Sequence, residues 1–270
     1  MRASERVRGV GLHTGEVCSA AIFPAARGHG IVFEQAGSSV PVRTDCIDDR
    51  TARCTALRSG TARVQTVEHL LAAMGLLGVT DATILVEGPE IPVLDGSAEP
   101  WCRILRTCGA PGRPRLAPTR LSRFERVSIG EPFAEIMPVD KDADAFIEVC
   151  VDLSVVGRTP MVHRIYPASD SAEDIAGART FAFAHEVEAL RRAGLAKGGT
   201  LDNAVVLSEE GPLNKEPLRF EDEPARHKLV DVIGDLMPAG GIPRAQIRLF
   251  RPGHRLNHAV ARMFDNVVLD

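Results

Sequence analysis

The stretch EDEPARHKLVDVIGDL, from Glu221 to Leu236, restricts the fold more than any other part of the chain. Pro224 suits a first helical turn, and acidic Glu221, Asp222 and Glu223 suit the positive end of a helix dipole. Pro238, Gly240 and Gly241 supply the stop. The segment is predicted to be one helix of about three to four turns. At about 100° per residue, Leu229, Val230, Val232, Ile233, Leu236 and Met237 share one broad arc that must be buried. His227, Asp231 and Asp235 run along the other side at i, i+4 and i+8, and Lys228 lands beside Asp235. A neutral imidazole and a carboxylate one turn apart can reach one divalent ion, with Asp235 available a turn further on to orient the site. An isolated His-x-x-x-Asp is more often a solvated face carrying an i, i+4 pair. Two ligands do not make a site, so a third has to come from elsewhere.

At 270 residues the chain exceeds what one core of about 100 to 150 residues needs, so two modest domains are expected. Hydrophobic residues at 44% and charged residues at 25% are ordinary for a soluble globular protein. A formal net charge of -4 gives no reason to expect a nucleic-acid partner. The six cysteines, Cys18, Cys46, Cys54, Cys102, Cys108 and Cys150, form no Cys-x-x-Cys. Reduced thiols and a cytoplasmic location are the economical account. The opening MRASERVRGVG has no apolar core of a signal peptide, and no run reaches membrane-spanning length, so no transmembrane segment is expected.

Gly9 to Gly15 resembles a dinucleotide loop only superficially, because the third glycine is misplaced and too little chain precedes it to form the required strand. It reads as a turn that brings backbone close to something. Strands are predicted at Val17 to Phe23 and Ile31 to Glu34, with an irregular stretch from Thr44 to Arg63. In TVEHLLAAMGLLG, Thr66 is a good N-cap, and Val67, Leu70, Leu71, Met74 and Leu77 recur at helical spacing up to Gly78. Glu68 and His69 then occupy the first turn. A lone His there is more often a surface or capping residue. An adjacent Glu and His nevertheless suit metal-assisted hydrolysis, one binding the ion and the other taking a proton from water. A strand at Ala82 to Glu87, turns around Asp95-Gly96-Ser97 and a short helix presenting Trp101, Ile104, Leu105 and Cys108 follow.

GAPGRPRLAPTR, from Gly109 to Arg120, is the best candidate boundary. Beyond it the order of elements repeats: strands near Arg126 to Ile129, Phe133 to Met137 and Ala145 to Leu153, then a strand-helix-strand excursion ending at Ala204 to Leu207. The helix described first, a strand at Ala245 to Phe250 and a last helix through Met263 complete it. The fold class is α+β, with two similar domains at residues 1–115 and 116–270. The helices are sandwiched between two sheets, each domain carries a small insert (near 182–208 in the second), and the ligands meet at the interface.

TVEHLLAA, PEIPVLDGSA, ARTF, LNKEPLRFEDEPARHKLVDVIGDL and GHRLN, in this order from Gly9 to about Met263, resemble the motifs of the UDP-3-O-acyl-N-acetylglucosamine deacetylases. These are zinc amidases of an early committed step of lipid A biosynthesis. The set is specific where any single motif is weak. The resemblance implies Zn²⁺ on His69, His227 and Asp231, Glu68 as general base, and His254 as proton donor to the leaving amine. Asp235 would orient His254 and Thr180 would hydrogen-bond the oxyanion. Substrate contacts would fall at Leu12, Thr180, Phe181 and Lys228. It implies a UDP-linked acylated amino sugar as the small-molecule partner, and a monomer is expected. An apolar passage for the acyl chain is expected among Phe183, Val187, Leu190, Leu195 and Leu201, residues that equally suit a small core. Ala182 stands where members usually have Gly after ARTF. A metal-dependent deacylase of another acylated amino sugar, and a non-catalytic binding protein on the same fold, are the rival classes.

Overall fold

A computed structural model describes residues 1–139 and 144–265. The first part of the chain forms β1 (Val7–Val10), β2 (Val17–Pro24), β3 (Ile31–Gln35), β4 (Ser38–Pro41), β5 (Ala56–Ser59), β6 (Ala62–Gln65), α1 (Glu68–Leu76), β7 (Ala82–Glu87) and α2 (Glu99–Thr107). The second forms β8 (Leu116–Arg120), β9 (Glu125–Ser128), β10 (Phe133–Pro138), β11 (Phe146–Val151), β12 (Met161–Ile165), α3 (Glu173–Ala176), β13 (Phe181–Phe183), α4 (Ala184–Arg192), β14 (Val205–Leu207), α5 (Glu223–Leu236), β15 (Ile242–Phe250) and α6 (His254–Asp265).

Two sheets carry the same connectivity. One runs β1-β2-β7-β3-β4 and the other β9-β10-β15-β11-β12, with β8 pairing the start of β15. In each, the first two strands pair antiparallel and the second lies antiparallel to the last. The third runs parallel to the last, and the fourth antiparallel to the third. Helices α1 and α5 precede the equivalent strands β7 and β15, and α2 and α6 follow them. The insertion before α1 is the β5-β6 hairpin, and that before α5 contains β13-α4-β14, whose strands pair in parallel. This mixed architecture agrees with the α+β expectation.

Several strands have one wet face and one dry face, whereas β2 is buried on both from Cys18 to Ile22. Along β15, Ala245, Ile247 and Leu249 are buried while Arg244, Gln246 and Arg248 are not, the period-two pattern of a strand packed on one side. Helix α1 is buried along its whole length and packs most extensively against α5. Burying Leu70, Leu71 or Met74 stabilises by about 1.5–3 kcal/mol each. The two helices approach closely because Gly234 lies against the first turn of α1, where a Cβ would collide with the carbonyl oxygen of Glu68.

Three local expectations change. Thr66 is not an N-cap: it has a positive φ of 56°, and its hydroxyl donates to Glu90 Oε1 at 2.6 Å instead. The polar stripe of α5 is not a solvated face, because His227, Asp231 and Asp235 are all buried. Lys228 does not reach Asp235; its ammonium donates to Asp231 Oδ2 at 2.8 Å, three residues on. Strands β1, β4 and β12 went unread because each is short and at a sheet edge, β1 forming in the few residues before the glycine turn, and β8 because its residues look like a linker.

Candidate metal centre and active site

The crossing of α1 and α5 brings three donors together. His227 Nε2 lies 3.3 Å from Asp231 Oδ1, His69 Nε2 lies 3.7 Å from the same oxygen, and the three donor atoms are within 4.8 Å of one another. The His69 and His227 rings meet edge to face, 5.0 Å between centroids. His227 Nδ1 donates to the carbonyl of Ala178 at 3.0 Å, so its Nε2 is left to face Asp231. Burial lowers the pKa of His69 and favours the neutral ring. Burial alone would raise the Asp231 carboxyl, but Lys228 and the imidazoles outweigh it and hold Asp231 well below the usual carboxylate range. Two imidazole nitrogens and a carboxylate therefore converge, an arrangement that a bound cation would satisfy. Tetrahedral ligation at about 2.0–2.1 Å sets donors about 3.4 Å apart, close to the spacing here. The donor set, two His and one carboxylate, suits a catalytic Zn²⁺.

Glu68 and His254 flank this cluster. Burial pushes the Glu68 carboxyl up to about 8, with His254 pulling the other way. One of its oxygens accepts the backbone N–H of Thr55 at 3.0 Å. His254, the first residue of α6, donates through Nδ1 to Asp235 Oδ2 at 2.8 Å. Burial would lower its pKa, but Asp235 overcomes this and the imidazole is pushed up to about 9. Asp235 itself is fully buried and also accepts from Thr55 Oγ1 at 2.5 Å and Asn257 Nδ2 at 2.8 Å. Burial would raise this carboxyl too, yet His254 and His258 hold it below its ordinary value.

These groups open onto a cavity of about 1320 Å³ whose wall includes Glu68, His69, Asp231 and His254. Leu12, Thr180, Phe181 and Lys228, the expected substrate contacts, lie on the same wall. Asp235 does not, and its link to the wall is its hydrogen bond with His254. Thr180 is fixed by its backbone, its N–H donating to Gly96 O at 2.7 Å and its carbonyl accepting from Val205 at 2.8 Å. The preceding Arg179 is buried and paired with Glu223 at 2.8 Å. Leu12 belongs to the turn at Gly11, where Glu90 accepts the N–H of His13 at 3.1 Å and that of Thr14 at 2.7 Å. A Cβ on Gly11 would run into the Glu90 carboxylate, which is the close backbone approach expected of this turn.

The cavity continues along Phe183, Val187, Leu190 and Leu201. None of the residues of α4 is buried, so its apolar side faces the cavity rather than a core. Leu195, expected among these, is not on the wall. Sequence reasoning missed Thr55, Asn257 and His258. His258 carried a usable signal, one helical turn after His254; Thr55 carried none, lying in the stretch without periodicity.

Residues 1–265 match the UDP-3-O-acyl N-acetylglycosamine deacetylase family. Curated relatives called UDP-3-O-acyl-N-acetylglucosamine deacetylase include one from Shewanella loihica, 38% identical over 95% of this chain and 86% of its own length. Others come from Cellvibrio japonicus, 37% identical over 96% and 86%, and an Anaeromyxobacter species, 38% identical over 94% and 84%. With the match spanning every element that builds the site, the chain belongs to the UDP-3-O-acyl N-acetylglycosamine deacetylase family.

Proposed function

We propose that this chain hydrolyses the 2-acetamido group of a UDP-3-O-(3-hydroxyacyl)-N-acetylglucosamine, releasing acetate in an early committed step of lipid A biosynthesis. The observation that carries the reading is a three-donor cluster, two of whose members, His69 and Asp231, share the wall of one partly apolar cavity with a buried carboxyl and a carboxylate-backed imidazole. His69, His227 and Asp231 would hold Zn²⁺, which supplies Lewis-acid polarisation of the amide carbonyl and a water acidified to a pKa of about 7.

The chain's own groups divide the remaining work. Glu68 takes the proton of the attacking water, and a dication beside it lowers its raised pKa toward the ionised form the task requires. His254, kept cationic by Asp235, gives its Nε2 proton to the departing nitrogen, since an amine leaves only when protonated. Thr180 donates its hydroxyl to the oxyanion, and Lys228 contributes positive charge to the same wall while holding Asp231. Leu12 and Phe181 contact the sugar nucleotide. Phe183, Val187, Leu190 and Leu201 receive the acyl chain.

The division into residues 1–115 and 116–270, with 140–143 and 266–270 outside the described residues, is supported by the shared sheet connectivity. A cytoplasmic monomer completes the reading. Among the described residues no helix is long and apolar enough to cross a membrane.

The test combines metal content with rate. About one zinc per chain is expected, lost in His69→Ala, His227→Ala and Asp231→Ala, with activity abolished by a chelator and restored by zinc. Glu68→Gln and His254→Gln should keep the metal but lose about 10² to 10⁴ in kcat on the acylated UDP-sugar. Full zinc occupancy in Asp231→Ala, or near-native turnover in His254→Gln, refutes the corresponding role.

A further inference from the structure

We infer that Thr55 is a positioning residue for both proton-transfer groups, and that His258 holds its hydroxyl in place. The inference rests on the roles of Glu68 as base and His254 as acid proposed above. Thr55 is fully buried just before β5, where the first insertion meets α1, α5 and α6. Its backbone N–H donates to Glu68 Oε2 at 3.0 Å and its Oγ1 to Asp235 Oδ1 at 2.5 Å. One residue thus touches the base directly and the acid's partner directly.

Proton bookkeeping fixes the direction of each bond. An ionised Asp235 can only accept, and a threonine hydroxyl has one proton. That proton goes to Asp235, so the 2.7 Å contact between Thr55 Oγ1 and His258 Nε2 must run the other way, with Nε2–H donating. The other Asp235 oxygen accepts from Asn257 Nδ2 and His254 Nδ1, both at 2.8 Å. Both oxygens are then engaged, and the carboxylate plane is set by donors from outside its own helix. With the Thr55 hydroxyl gone, Oδ1 is left buried with His258 Nε2 as a partner at 3.8 Å, too far for a hydrogen bond. The carboxylate is then free to turn toward His258 and away from His254. The groups facing His254 are Asp231 and Asp235 of α5, Glu68 and His69 of α1, His13 of the Gly11 turn and His258 of its own helix.

The experiment compares zinc-loaded Thr55→Val, which removes the hydroxyl at nearly constant volume, with Thr55→Ser, which keeps it. The readouts are kcat/KM on the acylated UDP-sugar against pH, zinc content and melting temperature, with His254→Gln as reference. Thr55→Val should retain zinc, lose about 10- to 100-fold in kcat, and move the alkaline limb to lower pH, because a carboxylate turned away from His254 supports the imidazolium less. Thr55→Ser should return to within about threefold of wild type with the wild-type limb. A native rate or an unmoved limb in Thr55→Val overturns the inference, as does a Thr55→Ser enzyme no better than Thr55→Val. If Thr55→Val melts below the assay temperature, His258→Leu carries the test. A loss of about three- to tenfold with the limb moved the same way supports the network, and a native profile overturns it. A wild-type bell in His254→Gln would instead remove the acid assignment on which the inference stands, and is distinguishable from these outcomes.

Discussion

Replacing Asp235 with asparagine should move the pH dependence of the enzyme without removing its metal. Asp235 has no solvent exposure and stands 2.8 Å from His254 Nδ1. Burial pushes the His254 pKa down, and the Asp235 charge and hydrogen bond more than reverse it, carrying the group from 6.5 to about 9. That rise is a preference of about 3 kcal/mol for the imidazolium. With asparagine the burial cost remains and the main opposing charge is gone, so the pKa falls to about 6.5 or below. His254 must be protonated to act, so activity is present below its pKa and lost as pH rises through it. At pH 7.5 the protonated fraction drops from nearly all to about a tenth or less, and kcat/KM should fall at least about tenfold, recovering on acidification. The alkaline limb should move about two or more pH units toward acid. A dication on His69, His227 and Asp231 lowers the pKa in wild type and variant alike, so the displacement between the two profiles is the quantity to read. The same sign governs stability: the pair contributes fully below the unfolded value of 6.5 and its contribution is lost as pH rises through about 9. The assay is kcat/KM against pH with zinc content and circular dichroism as controls. A folded, zinc-loaded Asp235→Asn enzyme with the wild-type alkaline limb would refute the role of this carboxylate.

Glu223→Gln leaves the Arg179 guanidinium, only 2% exposed, without its counter-charge, and should cost about 3–5 kcal/mol and lower the melting temperature by on the order of 10 °C. A change under about 2 °C would mean that the pair is not the brace it looks. Leu190→Trp should depress turnover of a long-acyl substrate about tenfold or more relative to the same sugar nucleotide lacking the chain, because Leu190 lies on the apolar part of the cavity wall. Equal losses on both would place the acyl chain elsewhere. Gly234→Ala adds a methyl where the carbonyl of Glu68 already sits, and should cost about 1–3 kcal/mol and displace the first turn of α1 enough to lower kcat about 100-fold. Native melting and native kcat in this variant would show that the helices have more room than the structure allows.

Much of the site was legible because its chemistry is written in local spacing. His227, Asp231 and Asp235 are one turn apart on a helix whose ends are marked by Pro224 and Pro238, so helical periodicity alone puts them on one face, and Glu68-His69 share the first turn of another. What periodicity could not supply was whether those faces were wet or dry. Residues such as Thr55 and Asn257 gain their roles only from contacts made across long stretches of chain, 180 residues in the case of Thr55 and Asp235. Thr66 misled for a related reason. Its hydroxyl has two potential uses, and a buried Glu90 needing donors outcompeted the helix end. Leu195 and Leu190 look alike in sequence, and only the packing of α4 against the cavity separates them.

The location of the site follows from the repeated connectivity. Helices α1 and α5 occupy equivalent positions before the last strand of each sheet, and so the two most buried helices are the ones that meet. A seam of this kind normally holds only apolar side chains, because an unpaired charge there costs several kcal/mol. This seam contains two carboxylates on α5 and a third on α1, together with His69 and His227, and each is tied to a partner. Between His69, His227 and Asp231 the three donor atoms lie within 4.8 Å of one another, and the Lys228 ammonium reaches Asp231. Gly234 makes that arrangement tighter by letting the helices close up. Close packing that would otherwise be destabilising therefore makes sense as the means by which an added cation is gripped. The same closeness fixes Glu68 beside the cluster, while His254 reaches it from α6 through its bond to Asp235, so α5 ties together the groups proposed as ligands, base and acid.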